Sequence, residues 1–508
     1  MKHIGKILAT TNLAIMALPG ATQAQEQKPN IIFFYADDLG YSDLSCYGSP
    51  LNETPNLDQL AQDGVRFTDF YSTSPVSSPS RAGLLTGRFA SRIGIHHVFF
   101  TNGFTGLPHS EITIAELLKE QGYSTAIFGK WHLGNDPQYL PRQQGFDEFY
   151  GTFGSIDMEP FVYIDNDTPQ SKIANKDSTT ITYTNKAIDF IQRKKDNGPF
   201  FLYVPFNMPH VPIAASPRFK GKSKNGLYGD VISELDWGIG EIVKKVDELG
   251  LGENTIICFA SDNGPWLQEG PYGGRALPLY RGKGTTWDGG QRVPMIVRWK
   301  GHIKPNRIES SVAIMTDWFQ TFAHLSGAAI PTDRVYDGYD ISSVLLNTGK
   351  RANQDFAYIG ANGIQAYRSG DWKIKLPESK VLGDYWQTDV PAHGLVLFNL
   401  RNDIGEQRDV SKENPQIVNS LLHKIDSVKE TGYYAEAIFL GEFGTTALVK
   451  KQRLENVLNA EKNGIGPKSE RGKITLEYYH AEKKYQEDGA KLRKQSSDAS
   501  LDKIFNIK

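Results

Sequence analysis

Four short apolar runs, each closed by a polar cluster, constrain the fold of this chain more than any other feature. Asn30 to Ala36 runs into Asp37-Asp38-Leu39-Gly40, and Ser124 to Phe128 runs into Gly129-Lys130-Trp131-His132-Leu133-Gly134. Phe200 to Pro205 is followed by Asn207-Met208-Pro209-His210, and Thr255 to Ala260 by Ser261-Asp262-Asn263-Gly264. Continuous apolar runs of this length suit strands buried on both faces. Helical patterns lie between them. Thr54-Pro55 opens one that ends at Gly64, and Ser110 caps another over Glu111 to Gln121. Thr184 to Lys195 and Val231 to Leu249 follow, and Thr316 caps a helix ending near Gly327. Strands alternating with helices predict an α/β fold, a large mostly parallel sheet sandwiched by helices. Functional groups in such sheets gather at the carboxyl ends of strands, where these polar clusters stand.

The pattern changes near Asn347 to Gln354. Ile364 to Leu376 and Gly394 to Leu400 read as strands joined by turns, and Ile417 to Val428 as a helix. That predicts a smaller C-terminal subdomain, an antiparallel sheet with a packed helix. After about Glu442 the chain is rich in Lys and Glu at helical spacing, a solvated face. The chain has 508 residues, room for one large domain and a smaller one. The expected division is 1–24, 25–350 and 351–508, the last including a helical tail.

Residues 1–24 read as a secretory signal. Lys2, His3 and Lys6 make a basic start, Ile7 to Leu18 is mostly apolar, and Thr22-Gln23-Ala24 offers a small-residue cleavage site. No other run approaches the length needed to span a bilayer. The expected protein is exported, periplasmic or secreted, without a membrane span. A formal net charge of −2 gives no reason to expect nucleic acid as a partner. A disulfide between the two cysteines, Cys46 and Cys258, is open in an oxidising compartment. Cys258 sits in an apolar run and suits a buried core thiol.

The densest chemistry lies in Ser74 to Arg88, Ser-Pro-Val-Ser-Ser-Pro-Ser-Arg-Ala-Gly-Leu-Leu-Thr-Gly-Arg. A small-residue helix should start here and stop near Gly87. Pro79 suits its first position, which places Ser78 or Ser77 at or just before the N-cap. Helix N-termini bind anions. Arg81 follows Ser77 by one turn and can reach the same place. The geometry suits a nucleophile facing an oxyanion.

Ser77-x-Pro79-Ser80-Arg81, continued by Leu84-Leu85-Thr86-Gly87-Arg88, resembles the signature of the formylglycine-dependent sulfatases. That family, arylsulfatase-like and of the alkaline phosphatase superfamily, opens its signature with Cys or Ser. The resemblance implies that a maturation enzyme oxidises Ser77 to formylglycine. It implies a calcium ion held by Asp37, Asp38, Asp262, Asn263 and the group at position 77. Gly129-Lys130-Trp131-His132-Leu133-Gly134 matches another family segment and makes Lys130 and His132 catalytic candidates. On an extended segment, residues two apart point the same way. Pro209-His210-Val211-Pro212 matches the setting of a sulfate-binding His. Gly282-Lys283-Gly284-Thr285-Thr286 matches a segment whose Lys binds the substrate sulfate. Tyr150 to Asp157 resembles a loop whose Ser approaches the sulfate, here Ser155, although its middle departs from the family pattern.

The implied reaction is hydrolysis of a sulfate ester. A hydrated aldehyde at position 77 attacks sulfur while Lys130, His210 and Lys283 neutralise the sulfate oxygens. His210 or Lys283 protonates the leaving alcohol, Arg81 steadies position 77, and His132 takes the proton that expels sulfate. Trp266, Tyr272, Trp287 and Trp386 suggest a sulfated sugar as substrate. Two other readings remain. One is a phosphate mono- or diesterase of the same superfamily using Ser77 directly. The other is a non-catalytic sugar-binding protein, against which the full set Ser77, Arg81, Lys130, His132, His210 and Lys283 stands.

Overall fold

A computed structural model describes residues 28–101, 103, 105–378 and 391–438. The expected leader, the helical tail after about residue 442 and Trp386 lie outside the described residues. The central sheet contains β1 (Asn30–Ala36), β2 (Val65–Phe67), β4 (Ser124–Lys130), β5 (Glu148–Thr152), β6 (Val162–Asp165) and β7 (Thr168–Ile173). It also contains β8 (Phe200–Pro205), β9 (Thr255–Ser261), β10 (Met295–Trp299) and β11 (Arg307–Glu309). Their spatial order is β11-β2-β10-β9-β1-β8-β4-β5-β6-β7. The middle of the sheet, β9-β1-β8-β4-β5, is all parallel, and antiparallel strands flank it.

Strand β1 shows why the sheet is covered twice. Ile31, Phe33 and Tyr35 enter one apolar cluster; Ile32, Phe34 and Ala36 enter the other. Burying each such large side chain contributes about 1.5–3 kcal/mol, so neither face tolerates water. Helices α2 (Ser77–Thr86), α3 (Ile114–Glu120) and α7 (Asp317–Ser326) pack into the first cluster. Helices α1 (Pro55–Gln62), α4 (Thr179–Lys194) and α5 (Gly226–Glu248) pack into the second.

Two short strands, β3 (Phe70–Tyr71) and β12 (Ala313–Ile314), pair beside this core. A separate antiparallel sheet follows, β13 (Asp355–Gly360), β14 (Gly363–Ser369), β15 (Trp372–Lys375) and β16 (Val396–Asn399). Helix α9 (Pro415–Lys429) covers it with Leu421 and Ile425. Two four-residue helices, α6 (Asp288–Gln291) and α8 (Ser342–Leu345), complete the set of α-helices among the described residues. None of the helices is long and apolar enough to cross a membrane.

The structure corrects several local expectations. Helix α3 starts at Ile114, not Glu111, because Thr113 and Glu116 form a capping box there in place of Ser110. Cys46 and Cys258 are free thiols, and Cys258 is the buried core thiol that its apolar run suits. Trp287 is buried beside Phe398 and Leu400 and does not present a sugar platform.

Candidate active site

The site forms where the parallel strands end. Ala36 of β1 pairs with Ser261 of β9, so Asp37-Asp38 and Asp262-Asn263 leave the sheet side by side. Adjacent residues of a continuing strand point to opposite faces. Asp38 breaks that alternation with φ 67°, a left-handed conformation that Asp tolerates better than most residues. Its N–H donates to Asp262 Oδ1 at 3.1 Å, and Leu39 N–H donates to Ser261 Oγ at 3.0 Å. Carboxylate oxygens of Asp37, Asp38 and Asp262 thus lie within 4.8 Å of one another, all buried. Asn263 Nδ2 donates to Asp38 Oδ1 at 2.8 Å, while its buried Oδ1 receives no hydrogen bond.

Helix α2 delivers Ser77 to this cluster. Val76 is the N-cap, extended at φ −141° and ψ 159°, and its carbonyl accepts Ser80 N–H at 3.3 Å. The helix therefore starts at Ser77, and Pro79 is its third residue. This corrects the expectation of Pro79 in first place with Ser77 or Ser78 at the cap. At the third position the missing N–H of proline is still one that lacks an intrahelical acceptor. The consequence is functional, because the Ser77 hydroxyl is not spent on capping. Its Oγ donates to Asp37 Oδ1 at 2.9 Å and makes a very short contact with Asp262 Oδ2. The helix closes at Gly87, φ 67°, whose N–H donates to Gly83 O.

Three fixed cations meet the three acids. Arg81 is wholly buried one turn after Ser77. Its Nη2 pairs with Asp262 Oδ2 at 2.8 Å, and its Nε reaches Ser77 Oγ at 3.5 Å. Lys130 ends β4, and its Nζ contacts Asp37 Oδ2 at 2.6 Å, Ser77 Oγ at 3.0 Å and Ser155 Oγ at 2.7 Å. Lys283 Nζ contacts Asp38 Oδ2 at 2.7 Å and lies 4.3 Å from the Trp266 ring centroid. His210 Nε2 is 3.6 Å from Asp38 Oδ2, and its ring packs edge-on against Trp266. Backbone bonds hold these loops together: Asp37 N–H to Met208 O, Lys283 N–H to Pro265 O and Gly284 N–H to Pro75 O.

Burial alone would raise the Asp37 carboxyl. The charges of Lys130, His210 and Arg81 outweigh that and hold it at about 2. Burial pushes Lys130 down despite Asp37, whereas Asp38 and Asp37 overcome burial to push Lys283 up. A hydrophobic cluster of the same volume would be at least as stable as such buried charges. Charge gathered this densely at strand ends points to function.

His132 departs from its expected placement. Strand β4 ends at Lys130, and His132 turns away with φ 60°, so the two side chains are not on one extended face. Its Nε2 is 3.0 Å from the Phe99 carbonyl, which can only accept, so Nε2 carries the proton. The buried Nδ1 then holds a lone pair and has no hydrogen-bond partner. Burial, then the Lys130 and Arg81 charges, push this imidazole well below its usual range, so it is neutral. Sequence reasoning saw Trp266 only as a loop aromatic; its position over Lys283 and beside His210 came from the structure.

Residues 29–328 match the Sulfatase family. The N-acetylgalactosamine-6-sulfatase of Mus musculus is 38% identical over 462 residues, 82% of this chain and 89% of that protein. The N-acetylgalactosamine-6-O-sulfatase of Bacteroides thetaiotaomicron is 32% identical over 514 residues, 84% of this chain and 100% of that protein. A sulfatase structure solved in work on the metabolism of multiple glycosaminoglycans by Bacteroides thetaiotaomicron aligns with TM-score 0.73 and 31% identity. That alignment covers 80% of this chain and 100% of the other. The matched family, the aligned fold and relatives spanning most of the sequence agree: this chain belongs to the sulfatase family of the alkaline phosphatase superfamily and is a sulfuric ester hydrolase.

Proposed function

We propose that this enzyme removes sulfate from carbohydrates, with the 6-O-sulfate of N-acetylgalactosamine as its first candidate substrate, using a calcium ion and a formylglycine made from Ser77. The observation that carries the reading is the convergence of Asp37, Asp262, Arg81 and Lys130 on the Ser77 oxygen. The names of the two N-acetylgalactosamine sulfatases supply the sugar. The residues fit calcium: three buried carboxylates offer hard oxygens at one point, and Asn263, whose Nδ2 lies against Asp38, has a buried Oδ1 without a hydrogen-bond partner. Bound there, calcium supplies Lewis acidity toward an oxygen at position 77 and toward the ester. Formylglycine at position 77 supplies a hydrated aldehyde, whose second hydroxyl permits sulfate to leave by elimination.

The chain's own residues do the rest. Lys130, Lys283 and His210 bind the sulfate oxygens and offset the charge that grows on the departing alkoxide. Ser155 accepts from Lys130 Nζ and keeps it aimed. Arg81 holds the group at position 77 toward the acids. His132, neutral with its lone pair on Nδ1, accepts the proton whose loss releases sulfate. His210 or Lys283 donates a proton to the leaving alcohol. A catalytic α/β domain over 25–350, a C-terminal subdomain over 351–508, a maturation enzyme as partner, and export directed by residues 1–24 belong to the same proposal.

The test is a substrate panel with matured enzyme. Sulfate release from 6-O-sulfated N-acetylgalactosamine is expected to exceed that from its 4-O-sulfated isomer and from 6-O-sulfated N-acetylglucosamine by about tenfold or more in kcat/KM. Equal turnover of the corresponding 6-phosphate ester would favour the phosphatase reading and contradict this one.

A further inference from the structure

A second buried ionic cluster lies between the β13–β16 sheet and helix α6. Asp288, the first residue of α6, is fully buried. Its Oδ1 accepts from Lys373 Nζ at 2.9 Å and from the Tyr358 hydroxyl at 2.6 Å. Its Oδ2 accepts from the Tyr71 hydroxyl at 3.0 Å and lies 3.4 Å from Arg292 Nη1. Lys373 Nζ also pairs with Glu406 Oε1 at 2.7 Å, and Glu406 Oε2 accepts the Asp288 N–H at 2.8 Å. Glu406 keeps φ 52°, disfavoured for a residue with a Cβ, while making both contacts. Strained backbone of this kind persists only where the surroundings over-determine it.

Helix α6 has four residues, too few to hold its place unaided. The loop before it is moulded on its glycines. A Cβ at Gly290 would lie 2.0 Å from the Thr285 carbonyl oxygen, and one at Gly289 would lie 2.0 Å from that of Arg281. Gly289 N–H donates to Tyr280 O at 2.9 Å. The loop that rests on α6 this closely is the one carrying Lys283. On its other side, Gly264, next to Asn263, donates its N–H to Gly290 O at 2.9 Å.

We propose that Lys373, together with Glu406, is a positioning residue for Lys283: it fixes Asp288, Asp288 fixes α6, and α6 sets the loop that aims the Lys283 ammonium. The C-terminal sheet thus governs the grip on sulfate from behind. This rests on the reading that Lys283 binds the substrate sulfate.

Lys373→Met in the full-length matured enzyme tests it. The expected result is a ten- to hundredfold (~10–10²) loss of kcat/KM on a sulfated sugar, carried mainly by KM, because small misplacements of a binding group cost that much. The double variant Lys373→Met/Lys283→Ala should be no weaker than Lys283→Ala alone, since both changes remove one function. Full additivity, or a wild-type KM with only a lowered active fraction, would overturn the proposal. Should Lys373→Met not fold, Glu406→Gln keeps the side-chain volume and carries the same test; it should raise KM, and an unchanged KM overturns the proposal. A loss in Lys283→Ala beside wild-type behaviour of Lys373→Met overturns positioning alone. Wild-type KM in Lys283→Ala overturns the sulfate reading and this inference with it.

Discussion

Ser77→Ala is expected to abolish sulfate release, lowering kcat by about 10⁴–10⁶, the range seen when an enzyme loses its nucleophile. The substitution removes one oxygen. That oxygen is the point shared by Asp37, Asp262, Lys130 and Arg81. The fold should survive it, because Val76 and not Ser77 caps helix α2, and the helix interior keeps its packing. Thermal unfolding near the wild-type temperature, with no turnover, is the expected pair of results. A kcat within tenfold (~10) of wild type would remove Ser77 from the chemistry, since a factor of ten is only about 1.4 kcal/mol of barrier. Arg81→Ala is a poorer probe. It strands the buried Asp262 charge, so lost activity and lost stability would be confounded.

Removal of divalent cations should silence the enzyme reversibly. Three buried carboxylates within 4.8 Å repel one another strongly in a medium of low dielectric. Arg81, Lys130 and Lys283 offset them, yet the proposed chemistry needs two of those cations for substrate. A divalent ion among the acids would free Lys130 and Lys283 for the sulfate. Treatment with a strong calcium chelator is therefore expected to lower activity by about 10³ or more, because a Lewis-acid ion supplies several kcal/mol. Added calcium should restore it and raise the unfolding temperature in a concentration-dependent way. Asp262→Asn should weaken the calcium dependence and lower activity together. Full activity in a metal-free preparation would refute the ion.

Much of this was legible in the sequence for a local reason. Asp37, Asp38, Lys130, Asp262 and Asn263 each end or follow an apolar run, and strand tips of a parallel sheet converge. The bounds of β1 and β8 coincide with the apolar runs because those strands are buried along their full length. The signature at Ser77 named its partner Arg81 through one helical turn. What stayed hidden depends on distant contacts. The turn at His132 leaves no periodic trace, since its conformation is fixed by bonds to Phe99 and Phe153. Trp287 read as an available aromatic because its cover, Phe398 and Leu400, lies more than a hundred residues on. Asp288, Lys373 and Glu406 pair across separations of 85 and 118 residues, and no local pattern announces such a pairing.

The central claim is that position 77 works as an oxidised, hydrated side chain held between a cation and a ring of positive groups. Intact-mass measurement of the purified enzyme, paired with sulfate release from the same preparation, tests it most directly. The account predicts that turnover rises in proportion to the fraction of chains whose Ser77 has lost two hydrogens, and that fully unconverted protein is nearly inert. Full turnover from protein carrying unmodified Ser77 would contradict it.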